Sequence, residues 1–303
     1  MSPRQISEPK GFQVATAQAA LATLTASDGP RRFLIADEVG LGKTVVARTI
    51  VEEMMKGKRK PLVVFYVASN LNIAHQNRAK LLEILATEAE QQAASAAADR
   101  LTIAANPAKR PRHDRLHLYT LTPDTSVPLY RRRGGSGRME ERALIFRLLS
   151  RRFPRLDNPT FSDFCKSNKR ISLNRWREIL NQQENIAGVR EIQDAFLDAL
   201  ASDALLKLPQ VDADAILQAL SQHSRSRLMG SMRTALALAA LRHVQPDLII
   251  FDEFQKFREL LIDPKPKPGK PKVVPDPLTI ALRGGGKRSD PALLLLSATP
   301  YRP

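Results

Sequence analysis

Residues 37–44, Asp-Glu-Val-Gly-Leu-Gly-Lys-Thr, constrain this chain more tightly than any other stretch. They follow a short apolar run, RRFLIA at 31–36. They open a segment, KTVVARTIVEEMMKG at 43–57, whose apolar residues fall at helical spacing and which closes on Gly57. Strand, glycine loop and helix in that order let successive backbone N–H groups turn inward at a helix N-terminus, where the peptide dipoles also favour an anion. The arrangement suits a triphosphate: Lys43 would reach the β/γ-phosphates and the Thr44 hydroxyl would take a place on Mg²⁺. The strict pattern GxxxxGK[ST] fails, because Asp37 fills the slot of its first glycine. A purely structural glycine turn is the competing reading.

Three further apolar runs resemble the one before the loop: 62–68 (LVVFYVA), 247–251 (DLIIF) and 292–297 (ALLLLS). None alternates, which is the pattern of strands covered on both faces. Helical spacing at 43–57 and 71–92 between and after the first two predicts an α/β chain with a mostly parallel sheet. RLHLYT at 115–120 is also strand-like. The middle carries helical patterns separated by turn clusters and reads as a basic helical insertion, 123–229, in a sheet domain made of 1–122 and 230–303. The Ala-rich then Pro- and Arg-rich stretch 93–114 and the Pro/Lys tract 264–277 read as mobile linkers.

The run DLIIFDE at 247–253 delivers Asp252 and Glu253 at the carboxyl end of a strand, where ligands sit in open α/β sheets. Asp252 could hold Mg²⁺ through its water shell, and Glu253 could orient and deprotonate an attacking water. Capping the helix-like EFQKFRELL that follows is the alternative.

DEVGLGKT at 37–44, Asp252-Glu-Phe-Gln255 and Ser297-Ala-Thr-Pro300 occur in that order, each after an apolar strand. In this the chain resembles the superfamily-two helicases and translocases, specifically the Swi/Snf-like branch of bacterial DEAD/DEAH-type ATPases, whose first motif reads DExGLGKT. The resemblance covers 12–85 and 230–303 well and the middle only loosely. It implies a RecA-like P-loop lobe that binds ATP and Mg²⁺ through Glu38, Val39, Gly40, Leu41, Gly42, Lys43 and Thr44, with the chemistry on Lys43, Asp252 and Glu253 and the metal on Thr44 and Asp252. It places Gln18 near adenine, with an exposed amide on an amphipathic helix as the alternative. Gln255, Ser297 and Thr299 would couple nucleotide state to nucleic-acid binding, and Asn70 and Gln76 would touch a nucleic-acid backbone or serve as helix-cap and surface amides. The strand before Ser297 should lie between those of the two Walker motifs. Gln255 stands where many relatives have His or Asp. The family's second RecA-like lobe, with its arginine fingers, is absent from these residues. The resemblance therefore implies a lobe that binds ATP far better than it hydrolyses it, and turns over when a second lobe completes it.

Charge supplies the remaining constraint. The 303 residues hold 47 Lys and Arg against 31 Asp and Glu, a net +16 with a pI near 10.3, so an acidic polymer is an expected partner. Residues 108–190 alone carry 19 basic against 8 acidic side chains. The densest runs are Arg131-Arg132-Arg133, Arg151-Arg152 with Arg155, and 166–177, where Phe161, Phe164 and Trp176 are interleaved. Charge alone leaves nucleic acid, an anionic membrane or another protein open; basic side chains neutralise phosphates and aromatic faces stack on bases, and the resemblance implies nucleic acid, DNA ahead of RNA, as the partner. A solvated basic face with the aromatics in a local core is the alternative. One cysteine, Cys165, excludes an internal disulfide framework. With no apolar stretch near the ~18–20 residues of a membrane span, a cytoplasmic location is expected. A nucleic-acid-binding or regulatory module with a pocket that does not turn ATP over is the rival from another class.

Overall fold

The computed structural model describes residues 8–38, 40–69, 71–122, 137–166, 171–203, 206, 208, 210–257 and 290–298. Among these residues the apolar runs form five strands: β1 (Arg32–Ala36), β2 (Leu62–Val67), β3 (Leu116–Leu121), β4 (Leu248–Asp252) and β5 (Ala292–Ser297). All pairings are parallel, in the order β1-β5-β4-β2-β3. The chain is therefore α/β, and β5 lies between β1 and β4 as its unbroken LLLL implied. β4 is buried along its whole length, and β2, β3 and β5 nearly so, as strands of a parallel sheet covered on both faces should be. β1 departs from that expectation: Arg32, Leu34 and Ala36 are exposed while Ile35 is buried. Among the described residues it pairs only with β5, and the face carrying Arg32, Leu34 and Ala36 is left open to solvent.

Among the described residues four helices accompany this sheet: α1 (Gly11–Leu24), α2 (Lys43–Met55), α3 (Leu71–Leu82) and α4 (Glu88–Ala94). Ala17, Ala20 and Leu24 of α1 and Val46, Ala47 and Ile50 of α2 join Ile35, Val64, Ile250 and Leu294 of the strands in one core. Each such Val, Leu or Ile stabilises the fold by about 1.5–3 kcal/mol. The helical pattern expected over 71–92 is broken into two helices. Thr87 caps the second, accepting from the Glu90 N–H at 3.2 Å while the Glu90 carboxylate accepts from the Thr87 N–H at 2.9 Å.

The stretch 93–114 is not a linker. Ala94, Ala96 and Ala98 are buried, the Ala96 N–H donates to the Leu118 carbonyl of β3, and the Arg112 N–H donates to Ala93. Alanine side chains are small enough to sit directly against a strand, so low complexity here marks close packing. The other expected linker, 264–277, lies outside the described residues.

The chain divides into two compact units, 1–99 with 110–123 and 245–303, and 100–109 with 124–244. The expected boundary at 229/230 is thereby corrected. In the second unit α5 (Met139–Arg152), α6 (Pro159–Lys166), α7 (Leu173–Gln182), α8 (Glu184–Ala187), α9 (Arg190–Ala201), α10 (Ala213–Gln222) and α11 (Arg225–Val244) follow one another, and α11 crosses position 230 unbroken. Every residue of α11 from Leu228 to Leu241 is buried, the mark of a central helix. Glu141, fully buried on α5, accepts from Arg100 Nη1 at 2.9 Å, Thr102 Oγ1 at 2.7 Å, Arg233 Nη2 at 3.0 Å and the Arg138 N–H at 2.6 Å.

The interleaved aromatics of this unit form a core. Phe161 and Trp176 are buried, Phe146 lies between them at 5.6 and 6.2 Å between ring centroids, and the indole N–H donates to Ser162 Oγ at 3.0 Å. Phe161 and Trp176 offer no face for stacking on bases; Phe164, half-buried, stacks on Phe161 and carries the Arg225 guanidinium over its ring. Cys165 is buried beside them as a free thiol, and burial raises its pKa. Among the described residues no helix is long and apolar enough to cross a membrane.

Candidate functional site

Register brings the candidate residues together. Ala36 at the end of β1 pairs with Ser297 of β5, and Asp252 at the end of β4 pairs with Leu296 of β5. The glycine loop, the acidic pair and Ser297 therefore emerge side by side from the carboxyl edge of the sheet, where open α/β sheets bind ligands.

The loop turns through two glycines with positive φ, 90° at Gly40 and 79° at Gly42, and α2 begins at Lys43. Lys43 Nζ donates to the carbonyls of Asp37 at 2.9 Å and Glu38 at 2.8 Å, folding the ammonium back over the loop. Gln13 of α1 holds the loop from the other side. Its Nε2 donates to the Leu41 carbonyl at 2.9 Å, its Oε1 accepts from the Lys10 N–H at 2.8 Å, and its side chain is buried. Gln18, expected at this position, is exposed on α1. The two differ by five residues, about 140° around a 3.6-residue helix, so only one of them can face the loop.

Asp252 is buried, and its Oδ2 accepts from Tyr66 Oη at 2.5 Å and from Asn77 Nδ2 at 2.9 Å. The Tyr66 phenol is pushed far up from its ordinary pKa, first by burial and then by the Asp252 charge, so it stays protonated and donates. Glu253 sits in left-handed backbone, φ 55°, which costs a non-glycine residue about 1–3 kcal/mol and is most often found at functional sites. Its Oε2 accepts from Ser69 Oγ at 2.9 Å and from Lys256 Nζ, and these bonds, Lys256 first, hold its carboxyl below the usual range despite partial burial. With Asp252 turned toward Tyr66 and Asn77, and only a short 3₁₀ turn (Phe254–Phe257) described after it, the capping alternative has no support here.

A cavity of about 510 Å³ is lined by Gly42, Lys43, Thr44, Asn77, Asp252 and Glu253 among others. No group of three His, Cys, Asp or Glu side chains able to hold a metal occurs among the described residues. Mg²⁺ in phosphate sites uses one or two carboxylates and completes its shell with phosphate oxygens and water, so Thr44 and Asp252 across one cavity fit that metal.

The remaining expectations divide. Ser297 is buried and donates to Gln255 Oε1 at 3.0 Å, so two of the three coupling positions touch; Thr299 lies outside the described residues, as do Val39, Asn70, Arg131, Arg132 and Arg133. Glu38 and Leu41 belong to the loop, and Gln76 is exposed on α3. Sequence reasoning missed Gln13, Ser69, Tyr66, Asn77 and Lys256. Tyr66 alone carried a signal, since a tyrosine within a fully buried strand needs a partner for its hydroxyl. No protein-family model, curated protein or solved structure matches the chain.

Proposed function

We propose that the first unit is a RecA-like, ATP-binding motor lobe of a nucleic-acid-dependent ATPase, of the DNA helicase and translocase kind, that hydrolyses ATP when a second lobe completes it. One observation carries the reading: the glycine loop with Lys43 and Thr44 and the acidic pair Asp252–Glu253 line a single cavity at the carboxyl edge of a parallel sheet, with β5 between their strands. On binding, Lys43 would exchange two backbone carbonyls for β/γ-phosphate oxygens, a charge-assisted contact roughly twice as strong as a neutral one. Bound Mg²⁺ supplies charge neutralisation on those phosphates. Gln13 keeps one amide N–H and one Oε1 lone pair beyond its present bonds, available to a base edge next to the loop. Water attacks the γ-phosphorus as the bond to the β,γ-bridging oxygen breaks, and Glu253 Oε1 or Oε2 takes the proton. Expelling the Lys256 ammonium from Glu253 frees the carboxylate for that step.

Titration with a fluorescent ATP analogue tests the reading. Lys43→Ala should weaken binding about tenfold or more, the equivalent of 1.4 kcal/mol. Absence of nucleotide binding by the wild type would sink it, and strong DNA-stimulated turnover without a second lobe would contradict the single-lobe part. The rival, a nucleic-acid-binding module whose pocket does not turn over, draws on the same Lys256–Glu253 contact, which engages the proton acceptor. DNA affinity indifferent to ATP and to Lys43→Ala would favour it.

A further inference from the structure

Asp252 is held more completely than a lone metal ligand at a strand end requires. Tyr66 on β2 lies in register with Ile250, two residues before Asp252, and is fully buried. Its hydroxyl and the Asn77 amide both donate to Asp252 Oδ2, and Asn77 Nδ2 also donates to the Tyr66 oxygen at 2.8 Å. The three side chains close a triangle drawn from β2, α3 and β4. A carboxylate oxygen has two lone pairs, and two donors converge on this one. Coordination of a cation then falls to Oδ1.

We infer that Tyr66 and Asn77 are positioning residues that fix Asp252 as a one-oxygen ligand for the divalent cation accompanying the nucleotide, an inference that rests on the nucleotide-site reading above. Mg²⁺ demands near-ideal octahedral geometry and tolerates a misplaced ligand poorly. A carboxylate free to rotate would present two oxygens in turn, whereas one clamped at Oδ2 keeps Oδ1 in a fixed place. Partners of this kind around metal ligands typically contribute 10–100-fold to metal affinity. Asn77 itself lines the cavity, so its amide reaches the carboxylate from the ligand side while Tyr66 reaches it from within the sheet.

The experiment measures Mn²⁺ binding by electron paramagnetic resonance in the presence of ATP, and binding of a fluorescent ATP analogue in EDTA. Wild type, Tyr66→Phe, Asn77→Ala and Lys43→Ala are compared. Tyr66→Phe removes one oxygen and keeps the ring, and Asn77 is only partly buried, so the second variant carries the test if the first does not fold. The expected result is a loss of roughly 10–100-fold in Mn²⁺ affinity for Tyr66→Phe and for Asn77→Ala, with metal-free nucleotide affinity within about twofold of wild type for Tyr66→Phe and falling less than Mn²⁺ affinity for Asn77→Ala. Unchanged Mn²⁺ affinity in folded variants overturns the inference and leaves the nucleotide site standing. Equal losses in both measurements also overturn it, because that pattern belongs to a merely structural role. A wild type that binds neither nucleotide nor Mn²⁺·ATP overturns the site reading and this inference together.

Discussion

At position 42 backbone and side chain make separate demands. A φ of 79° costs an L-residue about 1–2 kcal/mol, and a Cβ built there would meet Gln13 Nε2 at 2.4 Å. Gly42→Ala should therefore displace the Gln13 amide from Leu41 as well as strain the loop. Nucleotide affinity should fall about tenfold or more while the melting temperature changes by only a few degrees, measured by analogue titration and calorimetry. Near-native affinity would show that the loop does not need its left-handed turn. The same neighbourhood explains why the loop was legible in the sequence and its glutamine was not. Gly40, Gly42, Lys43 and Thr44 form a contiguous local pattern. Gln13 reaches Leu41 across 28 residues and reads back to Lys10 in a capping arrangement, but lysine at the cap position gives no capping signature. Tyr66 and Asn77 meet Asp252 across 186 and 175 residues, a juxtaposition that spacing along the chain cannot show.

Elements were legible where their patterning was long and misread where a neighbour decided the outcome. The strand cores and α2 follow from unbroken apolar runs and helical spacing. β1 reads like its sisters, yet Arg32, Leu34 and Ala36 stay exposed, because which elements cover a strand is set by contacts across hundreds of residues. The alanine-rich run 94–98 resembles a tether in composition, yet Ala94, Ala96 and Ala98 pack because β3 runs beside them. The helices of the second unit owe much to one carboxylate. Glu141 takes charge-assisted bonds from Arg100 before α5 and from Arg233 on α11, and removing one partner of a buried ion pair typically costs about 3–5 kcal/mol. Glu141→Ala should lower stability by about that amount in urea unfolding followed by circular dichroism. A change under about 1 kcal/mol would mean the two guanidinium groups find water instead.

For the molecule as a whole, the excess of positive charge is narrower than its count suggests. Arg147 and Arg151 both reach Glu184, at 3.2 and 2.7 Å, Arg155 reaches Asp214 at 2.9 Å, and Arg175 reaches Glu178 at 2.7 Å. Such exposed pairs contribute little stability, about 0–1 kcal/mol, but they lower the charge offered to a polyanion. With Phe161 and Trp176 in a core, contact with DNA would rest on phosphate neutralisation by exposed side chains such as Arg152, Arg177 and Arg190. Replacing all three with alanine should flatten the dependence of log affinity on log salt by about 0.9 for each phosphate that is no longer neutralised, measured by filter binding. An unchanged slope would exclude these three side chains from contact with DNA. Deleting the whole basic region is a poorer test, since residues 100–109 and α11 belong to the same compact unit.

Strand order also sets when the glycine loop can exist. β1 carries the loop, and among the described residues the only strand it pairs with is β5; Arg31, just before β1, donates to the Asp290 carbonyl across 259 residues. At roughly 5–20 residues per second of synthesis, the segment bearing Lys43 waits about 10–50 s on the ribosome before the strand that anchors it has been made. A nascent chain stopped short of residue 292 would have β2, β3 and β4 to pair among themselves but no seat for β1. On the reading proposed above, ATP would stabilise this fold only after translation had passed that point, acting on the assembled strands and not guiding their early pairing.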